Sequence, residues 1–306
     1  VLLFLSAKLY IEEIRIKALY IKQLYIKELH IKEPPSKIYL LGIQQMSIIN
    51  SHGVDIYYEL HGEAERTLIF AHGMGGNGAI WFNQIAEFCQ DYQVLVFDHR
   101  YFARSPCSKD QFDPAKFPDD IIKIMDKEGI DSAVFVCQSM GGWTGSQMAI
   151  LYPDRVDGLV MSHTPGIFYH PEVKNEQQVD ALVSGIGDVY TSPALAADFP
   201  EKNMTATILY AQISGFNNIE NSVIPRKIAE AEIGINTDSI GGYNIPTLFI
   251  TGELDNLFPA AYIQKLSTCV PEAEFSNLGQ VGHSSYFESP IAFNSELRSF
   301  LKTYEL

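Results

Sequence analysis

From Leu68 onward short apolar runs alternate with helical patterns, and this alternation narrows the possible architectures more than any other feature of the chain. The runs Leu68 to Ala71, Val94 to Phe97, Ala133 to Cys137, Val156 to Met161 and Thr247 to Thr251 have the length and branched content of buried strands. Between them Trp81 to Cys89, Asp119 to Glu128 and Gly141 to Leu151 read as helices, and Ile291 to Tyr304 forms a last helix. Apolar strands joined through helices predict a mostly parallel central β-sheet flanked by helices, an α/β fold. Ahead of it, Ser47 to Asn50 and Val54 to Leu60 flank Ser51-His52-Gly53 as a hairpin. Residues 165–245 break the rhythm and are expected to form an inserted helical cap, leaving 46–164 and 246–306 as the core. At 306 residues, 46% of them hydrophobic, the chain can bury one large core.

Residues 1–45 read differently. Leu-Tyr-Ile-Lys or a near copy recurs at Leu19, Leu24 and Leu29, a spacing that suits neither helix nor strand. This stretch is basic, whereas the remainder is strongly acidic. A basic arm interleaved with Ile, Leu and Tyr would suit a membrane surface or a partner. The preferred reading is a low-complexity extension outside the native fold, since the chain begins at Val1 while Met46 opens the strand pattern.

The 37 acidic and 22 basic residues give a net charge of -15, which repels phosphate backbones and anionic membrane surfaces. Neither nucleic acid nor a membrane is expected as a partner. Cys89, Cys107, Cys137 and Cys269 form no metal-spaced pair and suggest no disulfide framework, which points to a reducing cytoplasm. No apolar run reaches the roughly 18 residues that would span a bilayer.

Four segments carry residues suited to chemistry. Val134 to Gly142 is a buried strand that turns into a helix with Ser139 at the turn, a geometry that lifts a serine hydroxyl above the sheet edge. Cys137 stands where the usual Gly-x-Ser-x-Gly pattern has its first glycine, and Gly141 supplies the second. Taken alone, such a segment also fits a plain turn entering a helix. His72-Gly73-Met74-Gly75-Gly76 follows another strand, and with the elbow it offers the backbone N–H groups of Met74 and Met140 as donors to an oxyanion. No Gly-Lys-Ser/Thr follows these glycines, which disfavours a phosphate loop. The strand Thr247 to Thr251 delivers Glu253 and Asp255 into a loop; Asp255 is the preferred partner for a histidine, with a helix N-cap as its alternative role. His283, flanked by Gly282 and Ser284, is the sole histidine after Asp255.

In this order, and across Met46 to Leu306, these motifs resemble the α/β-hydrolase superfamily, in particular its small-molecule esterase and enol-lactonase-like branch. Phe97 to Ser105 is similar to the Asp-x-Arg-Gly-x-Gly-x-Ser stretch of many members, with Tyr101 and Ala103 replacing both glycines. Those changes are expected to remodel the loop, and Asp98 and Arg100 are expected to be structural. The resemblance implies Ser139 as nucleophile, His283 as general base and Asp255 as the acid that orients it, with no metal or organic cofactor. It implies a carboxylic ester, lactone or thioester of a small molecule as substrate. Trp143, Phe168 and Tyr169 are candidate pocket residues, with Phe199 and Tyr210 as further apolar lining. A carbon–carbon bond hydrolase of a diketone-like ring-cleavage product, and a ligand receptor on a hydrolase scaffold, are the alternatives.

Overall fold

The inner strands carry apolar side chains at nearly every position, so they are stable only with both faces covered. In the computed structural model, which describes residues 45–175, 193–218, 220 and 223–306, they lie in such a setting. The strands are β1 (Gln45–Ser51), β2 (Val54–His61), β3 (Thr67–Ala71), β4 (Gln93–Phe97), β5 (Ala133–Gln138), β6 (Val156–Ser162), β9 (Thr247–Thr251) and β10 (Glu274–Asn277). They form one sheet in the order β1-β2-β4-β3-β5-β6-β9-β10. The pairs β1/β2 and β2/β4 are antiparallel and all later pairs are parallel. The expected mostly parallel sheet is therefore present, with the hairpin turning at His52-Gly53.

Period-two alternation sorts the strand residues into two cores. Ile69, Ala71, Phe135, Cys137, Leu159, Met161 and Phe249 face one side, packed with residues of α2 (Phe117–Glu128), α3 (Gly141–Leu151) and α7 (Ala260–Ser267). Leu68, Phe70, Val134, Val136, Val160, Leu248 and Ile250 face the other, against α1 (Phe82–Phe88) and α9 (Pro290–Thr303). Two of these elements differ from what the pattern alone gives. Strand β10 is a part-exposed edge strand of sequence Glu-Phe-Ser-Asn, which lacks the apolar run that marks the inner strands. Helix α7 follows Pro259, which occupies its N-cap position in place of Asp255.

Between β6 and β9 lie α4 (Phe199–Lys202), α5 (Met204–Ser214) and α6 (Val223–Ala231), with the two-residue strands β7 (Phe168–Tyr169) and β8 (Ile235–Asn236) paired in parallel. The last short helix, α8 (Ser285–Glu288), follows His283. The expected extension over 1–45 lies outside the described residues except for Gln45, and so do residues 176–192 of the expected cap. Among the described residues no helix is long and apolar enough to cross a membrane.

Candidate active site

In a parallel sheet the carboxyl ends of the strands share one edge, and loops leaving that edge bring residues distant in sequence together. Strand β5 ends at Gln138, and Ser139 follows with φ +50, a left-handed conformation unusual for a non-glycine residue. The turn is held by backbone: Ser139 N–H donates to the Ser162 carbonyl at 3.0 Å, and Gly142 N–H donates to the Ser139 carbonyl at 2.9 Å. Close packing below it requires Gly141, where a Cβ would fall 2.2 Å from the Ala71 carbonyl oxygen. Cys137, in place of the first glycine of the motif, is fully buried in the core under the sheet, and burial pushes its thiol well up. It fills space and, with its thiolate disfavoured, is not itself a reactive thiol.

The loop after β3 lies directly against this turn, for a Cβ at Gly73 would come 3.0 Å from that of Ser139. His72 fixes the loop from beneath. Its Nδ1 bonds the Gly73 carbonyl at 2.8 Å, so its Nε2 is the acceptor for the His99 N–H at 2.9 Å. Burial draws the ring down to about 4, consistent with a neutral structural histidine. Among the described residues neither the Met74 nor the Met140 N–H is taken up by a protein acceptor.

His283 is buried, and its Nδ1 lies 3.0 Å from Asp255 Oδ2, while its Nε2 has no partner among the described residues. Gln138, beside the serine, donates from Nε2 to the His283 carbonyl at 3.1 Å, tying the histidine loop to the elbow. Asp255 is also fully buried at its side chain, and its Oδ1 accepts the N–H groups of Leu257 at 2.8 Å and Phe258 at 3.0 Å. Burial alone would raise its carboxyl, but His283 and His163 overcome this and hold it well below the usual carboxylate range. Glu253 is exposed and hydrogen-bonds Gln280 instead.

One residue of this site was not singled out from sequence. His163 follows β6, and its Nδ1 lies 2.8 Å from the same Asp255 Oδ2. The available signal was position, since His163 ends a parallel strand at the edge where ligands bind. His163, Asp255 and His283 bring three ligand-type atoms within 4.8 Å of one another. Both ring nitrogens converge on one carboxylate oxygen at hydrogen-bond distance, which is the arrangement of two N–H donors on an anion.

The remaining candidates divide. Trp143 packs in the apolar cluster that contains Met140 and Met74, and its Nε1–H donates to the Gly166 carbonyl at 3.0 Å. Phe168 is instead buried in the core cluster on the helix α3 side, edge-on to Tyr243, and Tyr169 is 48% exposed. Phe199 and Tyr210 belong to the opposite core, and Tyr210 Oη lies 3.3 Å from Ser284 Oγ beside His283. Asp98 and Arg100 make structural bonds: Asp98 accepts the Gly78 N–H and pairs with Arg104, and Arg100 pairs with Asp120. Tyr101 and Ala103 both hold left-handed backbone, at φ 82 and 35, without the glycines that the motif usually supplies there.

Residues 66–231 match the alpha/beta hydrolase fold family. The chain is 26% identical over 259 residues to a protein named putative carbamate hydrolase RutD from Caulobacter sp. (strain K31), covering 80% of this chain and 95% of that one. It is 25% identical over 266 residues to 3-oxoadipate enol-lactonase 2 of Acinetobacter baylyi, covering 84% and 96%. Among solved structures, Est816, described as an N-acyl homoserine lactone degrading enzyme, matches with a TM-score of 0.67 at 26% identity, over 83% of this chain and 100% of that one. With more than half of its length matched to one family and relatives aligned along nearly their full extent, this chain belongs to the alpha/beta hydrolase fold family.

Proposed function

We propose that this protein is a serine hydrolase acting on a small carboxylic ester, lactone or thioester. One observation carries the reading: Ser139, in a left-handed turn, shares the strand edge with a buried His283 whose Nδ1 is bound to Asp255, and among the described residues neither the Ser139 hydroxyl nor His283 Nε2 is taken up by a partner. A histidine with Nδ1–H committed to a carboxylate presents Nε2 as a base. Ser139 Oγ attacks the substrate carbonyl carbon as its proton passes to His283 Nε2. The tetrahedral oxyanion is received by the N–H groups of Met74 and Met140, a contribution of about 3 kcal/mol per donor in comparable sites. Collapse releases the alcohol or thiol, protonated by His283, and water activated by the same nitrogen then hydrolyses the acyl-enzyme.

Residues 165–245 are the proposed specificity element. Asn217 Nδ2 donates to the Gly75 and Gly76 carbonyls at 2.7 and 3.1 Å, and Asn77 Nδ2 donates to the Ile213 carbonyl at 2.9 Å. Ala196 N–H bonds the Glu288 carboxylate, which also takes the Gly282 N–H beside His283. The insertion is thereby tied to both the oxyanion loop and the histidine loop, so its shape bears directly on what reaches Ser139. Trp143 is the best supported of the pocket candidates, through its packing with Met74 and Met140. The names of the relatives, an enol-lactonase and a carbamate hydrolase, favour small carbonyl substrates.

A fluorophosphonate probe tests the assignment. Wild-type protein is expected to be labelled at Ser139 alone, read by mass spectrometry of the modified peptide, and Ser139→Ala is expected to lose labelling and at least about 10⁴-fold of ester turnover. Labelling elsewhere, or undiminished turnover by a clean Ser139→Ala preparation, refutes it.

A further inference from the structure

Asp255 is engaged on every lone pair. Its Oδ1 takes two backbone N–H groups and its Oδ2 takes two imidazole nitrogens, one from His283 and one from His163. An orienting acid needs one histidine, so the second imidazole calls for its own account. His163 is completely buried, and its far nitrogen, Nε2, lies 2.8 Å from Ser285 Oγ. Because Asp255 is an anion and accepts only, His163 carries its proton on Nδ1, and Ser285 donates its hydroxyl to Nε2. Burial, acting against the pull of Asp255, draws the ring below the ordinary histidine range and so favours its neutral form. His163 also sits in left-handed backbone at φ 54, on the turn whose neighbour, Ser162, accepts the Ser139 N–H.

We propose that His163 is a positioning residue for His283, acting through the shared Asp255 carboxylate to hold its Oδ2 in place, and that this extends labelling of Ser139 to lower pH. This role rests on the serine-hydrolase reading above. The physical cause is competition for one oxygen. The His163 N–H draws negative charge from Oδ2 and points the positive end of its dipole towards His283, so the imidazolium form of His283 gains less from Asp255 than it would from a singly bonded acid. Among the described residues, the other carboxyl facing His283 is Glu288 of α8, a half-buried group that accepts the N–H groups of Gly282, Ala196 and Ser284. It stays unchanged in the variants below and serves as a constant background.

The test needs no knowledge of the natural substrate. The rate of fluorophosphonate labelling of Ser139 is measured against pH for wild type, His163→Ala and His163→Asn, with melting temperatures alongside. Asparagine keeps an N–H donor and tolerates left-handed backbone. The acid limb of the His163→Ala profile is expected to move up by about one pH unit, with the alkaline plateau falling less than about tenfold. His163→Asn is expected to bring the limb back towards wild type. An unmoved limb, or a lowered plateau and melting temperature with the limb in place, overturns the role and leaves a purely structural histidine. Should His163→Ala fail to fold, ¹⁵N-histidine NMR of the wild type decides, with the His163 signals assigned by their shift in Ser285→Ala. A ring neutral throughout with its proton on Nδ1 is expected; a proton on Nε2, or titration in step with His283, overturns it. Failure of folded wild type to label at all defeats the parent reading and this role together, whereas labelling with an unmoved limb defeats only the role of His163.

Discussion

The turns that leave β4 and β5 solve the same backbone problem in opposite ways. Both place non-glycine residues in left-handed conformations, Tyr101 and Ala103 after β4 and Ser139 after β5. After β4 the strain is offset by a dense set of side-chain bonds. Asp98 accepts the N–H of Gly78 and pairs with Arg104, Arg104 also reaches Glu59 at 2.6 Å, and the Ala103 N–H donates to Asn217 Oδ1 at 3.0 Å. After β5 the turn is held by backbone N–H groups and by small residues packed beneath it, which leaves the serine hydroxyl without a partner among the described residues. The first turn is braced by surrounding side chains as well as by its own backbone bonds, whereas the second is held by backbone and packing and has a side chain to present.

That contrast can be broken first at the elbow. Gly141→Ala puts a methyl group 2.2 Å from a backbone oxygen of β3, which cannot swing away as a side chain would. A loss of about 3 kcal/mol or more in denaturant unfolding is expected. Unfolding coincident with wild type would mean that backbone packing does not hold this turn.

The charge network after β4 is sharpened by pH. Burial alone would raise Glu59, but His61, Tyr57 and Arg104 overcome it and hold the carboxyl at about 2. The unfolded value is about 4.3, so the carboxylate stabilises the fold at pH values above that, and its contribution disappears as the pH falls towards 2. Glu59→Gln is expected to unfold at lower denaturant concentration at pH 7 and to show a flatter decline between about pH 5 and pH 2. Parallel declines in the two proteins would place the acid sensitivity elsewhere. The smallest effect is expected from Ala103→Gly, which relieves left-handed strain at φ 35 but adds freedom to the unfolded chain, for a net gain of about 0.5 kcal/mol. A loss of stability would show that Ala103 contributes packing that outweighs its strain.

Much of the scaffold was legible because burial writes itself into residue type. The strands Ala133–Gln138 and Thr247–Thr251 are apolar throughout since both faces are covered, and Gly141–Leu151 is rich in small residues because it packs tightly behind the elbow. Strand β10 escaped because its edge position permits polar residues, leaving no pattern to read. Asp255 and Glu253 stand two residues apart on one loop, and sequence alone ranks them only by motif; the fold turns the first inward to His283 and the second outward to Gln280.

Residue order and local pattern by themselves determined the α/β layering, the strand-to-helix turn at Ser139 and the placing of Asp255 and His283 on later loops, because each is a local consequence of burial, backbone geometry or spacing. Tertiary structure alone decided that Cys137 can stand in for glycine, that Tyr101 and Ala103 keep left-handed backbone, and that His163 joins His283 on a single carboxylate oxygen. The last depends on β6, β9 and the loop before α8 meeting at one sheet edge, and convergence of segments 92 and 28 residues apart leaves no periodic trace in the chain.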